Sequence, residues 1–225
     1  MAGVFVTGTG TDVGKTFVTA ALVRHLRSAG KTVDAFKPVV SGFDPANIAN
    51  SDPGVLLSAL GRDVTNDELD RIAPWRFAAP LSPDLAAKAE SRSIDFAALV
   101  EFSRSVACGR GTVLIEGIGG IMVPLDRTHT VLDWMSALRI PVLLVAGSYL
   151  GTISHTLTAL HVLAQRNLDI AGVVVSESVA PGANLDDTVA TIARFAVPID
   201  VIGVPRLLPG APVPPAILSR IEGLL

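Results

Sequence analysis

The chain has 225 residues, 49% of them hydrophobic and 17% charged, with a formal net charge of −3. That length suits one α/β domain with a sizeable core, and the charge balance offers no basic face to nucleic acid or an anionic membrane. Cys108 is the only cysteine, which excludes an internal disulfide and a cysteine-based metal cluster. No apolar stretch approaches a membrane span, and Met1-Ala2-Gly3 enters a strand pattern without a basic leader, so a soluble cytoplasmic protein is expected.

The first element is an apolar run at 4–6, read as a buried strand. It leads into Gly8-Thr9-Gly10-Thr11-Asp12-Val13-Gly14-Lys15-Thr16, and then Phe17, Val18, Ala20, Ala21, Leu22 and Leu26 recur at helical spacing. A strand, a glycine-rich turn and a helix opening on Lys-Thr form the context of a phosphate-binding loop. Small residues let the backbone wrap a polyphosphate, and the N–H groups at the helix start point at it. Thr9 through Gly14 would wrap the phosphates, Lys15 would reach the β- and γ-phosphates, and the Thr16 hydroxyl would ligate Mg²⁺. The spacing departs by one residue from the common Gly-x₄-Gly-Lys-Ser/Thr form: position 9 is Thr, and Gly8 lies one residue further back.

A second strand at 33–36 ends in Lys37-Pro38-Val39-Val40-Ser41-Gly42, and residues 43–54 are polar and turn-rich. A short helix at 54–60 and an acidic segment at 66–71 follow. Trp75-Arg76-Phe77 leads into the rigid loop Ala79-Pro80-Leu81-Ser82-Pro83, with helices at 85–90 and 95–107 after it. The strand at 113–115 closes on Glu116-Gly117-Ile118-Gly119-Gly120. Beyond it the pattern gives a helix near 130–138, a strand at 141–146, a helix from 151 to 166 and a strand at 170–175. A helix at 184–196, a strand at 199–204 and a terminal helix at 217–225 complete the chain. Apolar strands alternating with helices specify one domain over 1–225, a mostly parallel central sheet with helices on both faces, of the P-loop NTPase type. In such sheets ligands gather at the carboxyl ends of strands, so the polar segments after 6, 36 and 115 should converge.

Those segments hold the candidates. Phosphoryl transfer needs charge neutralisation and Mg²⁺ more than a covalent nucleophile, and Mg²⁺ takes hard oxygen ligands. Glu116, at the end of an apolar strand, is a natural carboxylate ligand. Asp52, before Pro53-Gly54, reads on position alone either as a ligand or as a turn former. Lys37 precedes a proline that keeps the backbone extended, so it reads as a second cation on the transferring group. Ser41 could hydrogen-bond an acceptor, and Thr11 could touch the γ-phosphate.

Together these residues resemble the dethiobiotin synthetases, ATP-dependent enzymes that close the ureido ring in biotin biosynthesis. The resemblance rests on the loop at 8–16, on Lys37-Pro38-Val39 with Ser41-Gly42, and on Asn50-Ser51-Asp52. It continues through Phe77 with Pro80 and Ser82-Pro83, Glu116-Gly117 with Gly119-Gly120, Gly147 to His155, Ala171-Gly172 and Pro181-Gly182. The one-residue oddity of the loop is that family's own spacing. The resemblance implies that 7,8-diaminononanoate captures CO₂ as a carbamate, which takes the γ-phosphoryl group of ATP. The neighbouring amine then closes the ring and expels phosphate.

It also implies roles for particular residues. Thr16, Asp52 and Glu116 become Mg²⁺ ligands; Lys15 and Lys37 become phosphate and transition-state cations. Thr11 and Ser41 lie near the carbamate, with Gly117 at the substrate. A homodimer is implied, the substrate's carboxylate tail binding the helix start at Gly151, Thr152, Ile153 and Ser154 of the partner subunit. Ser176 and Pro205 border the base. Five positions depart from the family pattern: Ser154 replaces an Asn, Asp84 a His, and Asp12 a Glu, while Ser176-Glu177 replaces an Asn-Asp pair that reads adenine. A regulatory P-loop ATPase switch, and a paralogous ligase acting on another amine, are the alternative functions.

Overall fold

The computed structural model describes residues 3–180, 182–208 and 211–225; Pro181 of the resemblance lies outside them. β1 (Gly3–Gly8) and β6 (Val142–Gly147) are buried along their whole length, as strands are in a parallel sheet covered on both faces. Between them in sequence come α1 (Lys15–Ser28), β2 (Val33–Phe36), β3 (Val39–Ser41), α2 (Asp52–Leu60), α3 (Asn66–Ile72), β4 (Trp75–Phe77), α4 (Pro83–Ala89), α5 (Phe96–Ala107), β5 (Thr112–Glu116) and α6 (Val131–Leu138). After β6 follow α7 (Thr152–Gln165), β7 (Ile170–Ser176), α8 (Leu185–Ala196), β8 (Val201–Val204) and α9 (Pro215–Glu222).

Six strands pair in the order β2-β5-β1-β6-β7-β8, every pair parallel. β1 is therefore central; the chain passes from it to the edge strand β2, returns to β5 beside β1, and then crosses to β6 and runs outward through β7 and β8. Alternate residues of β1 show the two covered faces. A Cβ on Gly3 would lie 2.9 Å from the Ala107 Cβ of α5, whereas one on Gly8 would lie 3.0 Å from the Lys15 side chain of α1. Val6 pairs with Glu116 and Phe36 with Ile115, so β1, β2 and β5 end at one level. No helix among the described residues is long and apolar enough to cross a membrane.

Local chemistry sets the boundaries. Thr130 and Asp133 form a capping box that starts α6: the Thr130 hydroxyl accepts from Asp133 N, and the Asp133 carboxylate accepts from Thr130 N at 2.9 Å. α2 begins at Asp52, two residues before the expected start, because Ser51 caps it by accepting from Gly54 N and Pro53 fits the first turn. The acidic segment at 66–71 is helical, capped by Thr65 accepting from Glu68 N at 3.2 Å. Residues 39–41 and 75–77, read from sequence as connecting segments, pair as a small parallel two-stranded sheet. The last strand starts at Val201 rather than 199, and the final helix ends at Glu222.

Trp134 anchors the core on the α6 side. It is fully buried, its indole N–H donates to Ser103 Oγ at 3.0 Å, and its ring meets Phe5 edge-on at 4.8 Å between centroids. Trp134→Ala is expected to lower unfolding stability by about 3–5 kcal/mol. Denaturant titration checks this, and a loss below about 1 kcal/mol would mean that the neighbouring side chains collapse into the space.

Candidate active site

β1 ends at Gly8, and the loop that follows turns into α1 through two residues with positive φ, Asp12 at 56° and Gly14 at 97°. Asp12, though not glycine, belongs to a residue type that tolerates this region. At Gly14 a side chain is excluded twice over, by φ and by space: a Cβ would lie 2.7 Å from Ser176 Oγ. No side chain caps the start of α1, so its first N–H groups are left for a ligand. The loop is tied to β6 by Thr9 N donating to the Val145 carbonyl at 3.0 Å. Lys15 folds over it and donates to the Gly10 carbonyl at 2.7 Å. Burial, and then the charge of Lys37, push the Lys15 ammonium down to about 8, against the opposing pull of Glu116, Asp52 and Asp12.

The sheet register brings the other charged candidates here. Glu116, the last residue of β5, is fully buried, and Lys37 just beyond β2 is 2% exposed. The Lys37 ammonium donates to Glu116 Oε1 at 2.8 Å and to the Gly117 carbonyl at 2.7 Å, and sits 3.1 Å from Asp52 Oδ2. The Thr16 hydroxyl donates to the same Glu116 oxygen at 2.6 Å. Burial alone would favour neutral Lys37, but the charges of Glu116 and Asp52 outweigh it and hold its pKa above the ordinary lysine value. Burial pushes the Asp52 carboxyl up, yet the Lys37 charge and hydrogen bonds from Lys37 and Thr16 outweigh that and hold it below the usual range. Glu116 Oε2 is buried and has no protein partner.

Thr11, Asp12, Gly14, Lys15, Thr16, Lys37, Ser41 and Asp52 line one cavity of about 730 Å³, within the range of small-molecule sites. A second cavity of about 390 Å³ lies beside Gly14 and Phe17 and is bordered by Val13, Ser176, Glu177 and Pro205. There Glu177 accepts from Arg206 N at 2.8 Å, fixing the segment after β8. Thr9, Gly10, Glu116 and Gly117 line neither cavity; the Gly10 and Gly117 carbonyls hold the Lys15 and Lys37 ammonium groups. Gly151, Thr152, Ile153 and Ser154 also lie outside both. Gly151 starts α7 with φ 98°, and the Thr152 hydroxyl, buried, donates to the Gly147 carbonyl at 2.6 Å.

Sequence reasoning missed part of the wall. Phe17, read as core because of its helical spacing, is 41% exposed and borders both cavities. Ser82 lines the larger one from the start of α4. The rigid Pro80–Pro83 loop and the place of Ser82-Pro83 in the family resemblance were the signals for it.

A family model described as an AAA domain matches residues 2–208. The ATP-dependent dethiobiotin synthetase BioD of Caulobacter vibrioides is 49% identical over 209 residues, covering 92% of this chain and 93% of that protein. The corresponding protein of Acidiphilium cryptum is 51% identical over 178 residues, covering 78% and 80%. Among solved structures, the MinD cell division protein of Aquifex aeolicus superposes with a TM-score of 0.58 at 14% identity, covering 100% of this chain and 96% of that one. The Pyrococcus furiosus cell division ATPase MinD gives 0.57 at 17%, covering 100% of both. At such identities the MinD likeness shows the P-loop NTPase fold alone, whereas identity near one half over most of both chains decides the family against the switch. The chain belongs to the ATP-dependent dethiobiotin synthetases, a family of ligases.

Proposed function

We propose that the larger cavity closes the ureido ring of dethiobiotin in biotin biosynthesis, from 7,8-diaminononanoate, CO₂ and ATP. The observation that carries this reading is the buried Lys37, held as a cation beside the phosphate loop in a cavity that extends beyond the loop to Ser41 and Ser82. A switch ATPase needs room for nucleotide; a synthetase needs room for nucleotide and acceptor together.

In this reading the loop from Thr9 to Gly14 and the first N–H groups of α1 bind the triphosphate, and Lys15 exchanges the Gly10 carbonyl for a phosphate oxygen. Thr16, Asp52 and Glu116 would hold Mg²⁺: one hydroxyl and two carboxylates are hard oxygen donors, and the unpartnered Glu116 Oε2 is the kind of atom a cation satisfies. When bound, that ion neutralises charge on the phosphate oxygens. Lys37 keeps its proton, so it acts as a fixed cation toward the carbamate and the transferring phosphoryl group, not as a base. Thr11 and Ser41 orient the carbamate so that its oxygen, the phosphorus and the leaving oxygen are in line. Ser176, Glu177 and Pro205 border the base in the smaller cavity.

The carboxylate tail of the substrate is assigned to the start of α7 in a partner subunit. Support comes from Gly151 through Ser154 standing outside both cavities of their own chain, at a helix start with no side-chain cap. A homodimer, a single domain over the whole chain and a cytoplasmic location complete the reading.

The decisive experiment measures phosphate release from ATP with Mg²⁺ and bicarbonate, with and without 7,8-diaminononanoate, alongside dethiobiotin formation. Diamine-dependent release matched by ring product supports the reading; diamine-independent release with no product overturns it. Gly14→Ala is expected to weaken nucleotide binding about tenfold. The left-handed backbone costs an L-residue about 1–2 kcal/mol, and the new methyl displaces Ser176 from the base cavity. Calorimetric titration with a non-hydrolysable ATP analogue measures it, and unchanged affinity would remove Gly14 from the site.

A further inference from the structure

One hydroxyl in the larger cavity bonds in a way its position does not lead one to expect. Ser82 occupies the N-cap of α4, where a serine oxygen ordinarily accepts from an N–H of the first turn. No such bond forms here. The Ser82 hydroxyl instead donates to Asp84 Oδ1 at 2.6 Å. Its single proton is thereby committed, and its lone pairs are left unclaimed by the helix while the residue lines the cavity. Pairing with a carboxylate also makes the oxygen a better acceptor.

Two neighbouring polar groups, Ser51 and the Asn50 amide nitrogen, are already engaged. Ser51 donates to the Ile48 carbonyl at 2.6 Å and accepts from Gly54 N, and the Asn50 amide donates to Asn47 Oδ1 at 2.6 Å. The loop carrying Ser82 is rigidly placed: Gly42 N donates to the Ala79 carbonyl at 3.0 Å, Phe43 N to the Phe77 carbonyl at 2.9 Å, and Pro83 opens α4. Lys15 and Lys37 give the cavity two cations suited to phosphate and carbamate but repulsive to ammonium. A substrate that brings two amines needs acceptors on the wall, and beyond the Asp12 and Asp52 carboxylates beside the loop Ser82 supplies one on the opposite segment.

We propose that Ser82, fixed as an acceptor by Asp84, receives an N–H of the diamine and positions its amine pair; this rests on the synthetase reading above. Ser82 is then a substrate-binding residue, and Asp84 is a positioning residue that acts only through it.

The test compares steady-state phosphate release for the unaltered protein, Ser82→Ala, Asp84→Ala and the double variant. Ser82→Ala is expected to raise KM for 7,8-diaminononanoate about tenfold, as for one lost hydrogen bond, with KM for ATP unchanged. Asp84→Ala should raise the same KM, and the double variant should match Ser82→Ala alone, a non-additivity that a purely structural role of Asp84 does not produce. An unchanged diamine KM in Ser82→Ala overturns the proposal, and additive effects overturn the role of Asp84. If the unaltered protein shows no diamine-dependent release, the synthetase reading itself fails and takes this proposal with it.

Discussion

Lys37→Met is expected to lower kcat by about 10²–10³-fold while nucleotide affinity stays within a few-fold. The ammonium is held by Glu116, Asp52 and the Gly117 carbonyl and lines the cavity near the loop; in the proposed reaction it would act where charge develops rather than where the base or the α-phosphate binds. The same substitution leaves the fully buried Glu116 with only the Thr16 hydroxyl as partner. An uncompensated buried charge of this kind costs about 3–5 kcal/mol, so the variant should also be less stable. Stability and chemistry separate in the double variant Lys37→Met/Glu116→Gln, which removes both buried charges. It is expected to recover most of the lost stability and none of the lost turnover. Denaturant titration and phosphate release give the two readouts. Turnover near normal in the single variant would remove Lys37 from the reaction, and a double variant that recovers turnover would show that only folding was at stake.

The site was legible in sequence wherever its signal was local or followed from strand ends. Gly14-Lys15-Thr16 opens a helix straight after a buried strand, and the residues carrying the loop lie within one short stretch. Lys37 and Glu116 are 79 positions apart, yet both follow apolar runs. A parallel sheet puts such ends at one level, and the register of Phe36 with Ile115 and Val6 with Glu116 does so here. Position alone left Asp52 between a ligand and a turn former, and only the resemblance chose the ligand; the Ser51 cap shows that Asp-Pro-Gly is the first turn of a helix, with Asp52 Oδ2 3.1 Å from the Lys37 ammonium. The small β3-β4 sheet was illegible because three-residue strands are too short to show a period. Phe17 misled for a different reason: helical spacing identifies a face, but part of that face opens onto the two cavities instead of the core. Ser82 was hidden because its significance lies in a hydrogen-bond choice, donation to Asp84 in place of capping, that composition does not record.

Glu116→Gln is expected to raise the Mg²⁺ concentration needed for half-maximal rate by at least about tenfold, with kcat also reduced. The two oxygens of this carboxylate have different surroundings. Oε1 is shared by the Thr16 hydroxyl and the Lys37 ammonium, whereas Oε2 is buried without a partner. Leaving a buried acceptor unmet costs about 1–3 kcal/mol, more for a charged group, and such an atom in a folded protein calls for a specific counterpart. A glutamine can keep its oxygen on Thr16 and Lys37, but it then places an NH₂ donor where Oε2 stood, and a donor repels a cation. The variant therefore preserves the visible hydrogen bonds and removes the one feature they leave unexplained. Asp52→Asn is the milder comparison, because the Asp52 side chain is 44% exposed and solvent can replace part of what it supplies. Rate against Mg²⁺ concentration, with Mn²⁺ binding measured separately by its magnetic resonance signal, distinguishes lost metal affinity from lost chemistry. An unchanged metal titration in Glu116→Gln would leave Glu116 as the buried partner of Lys37 and nothing more.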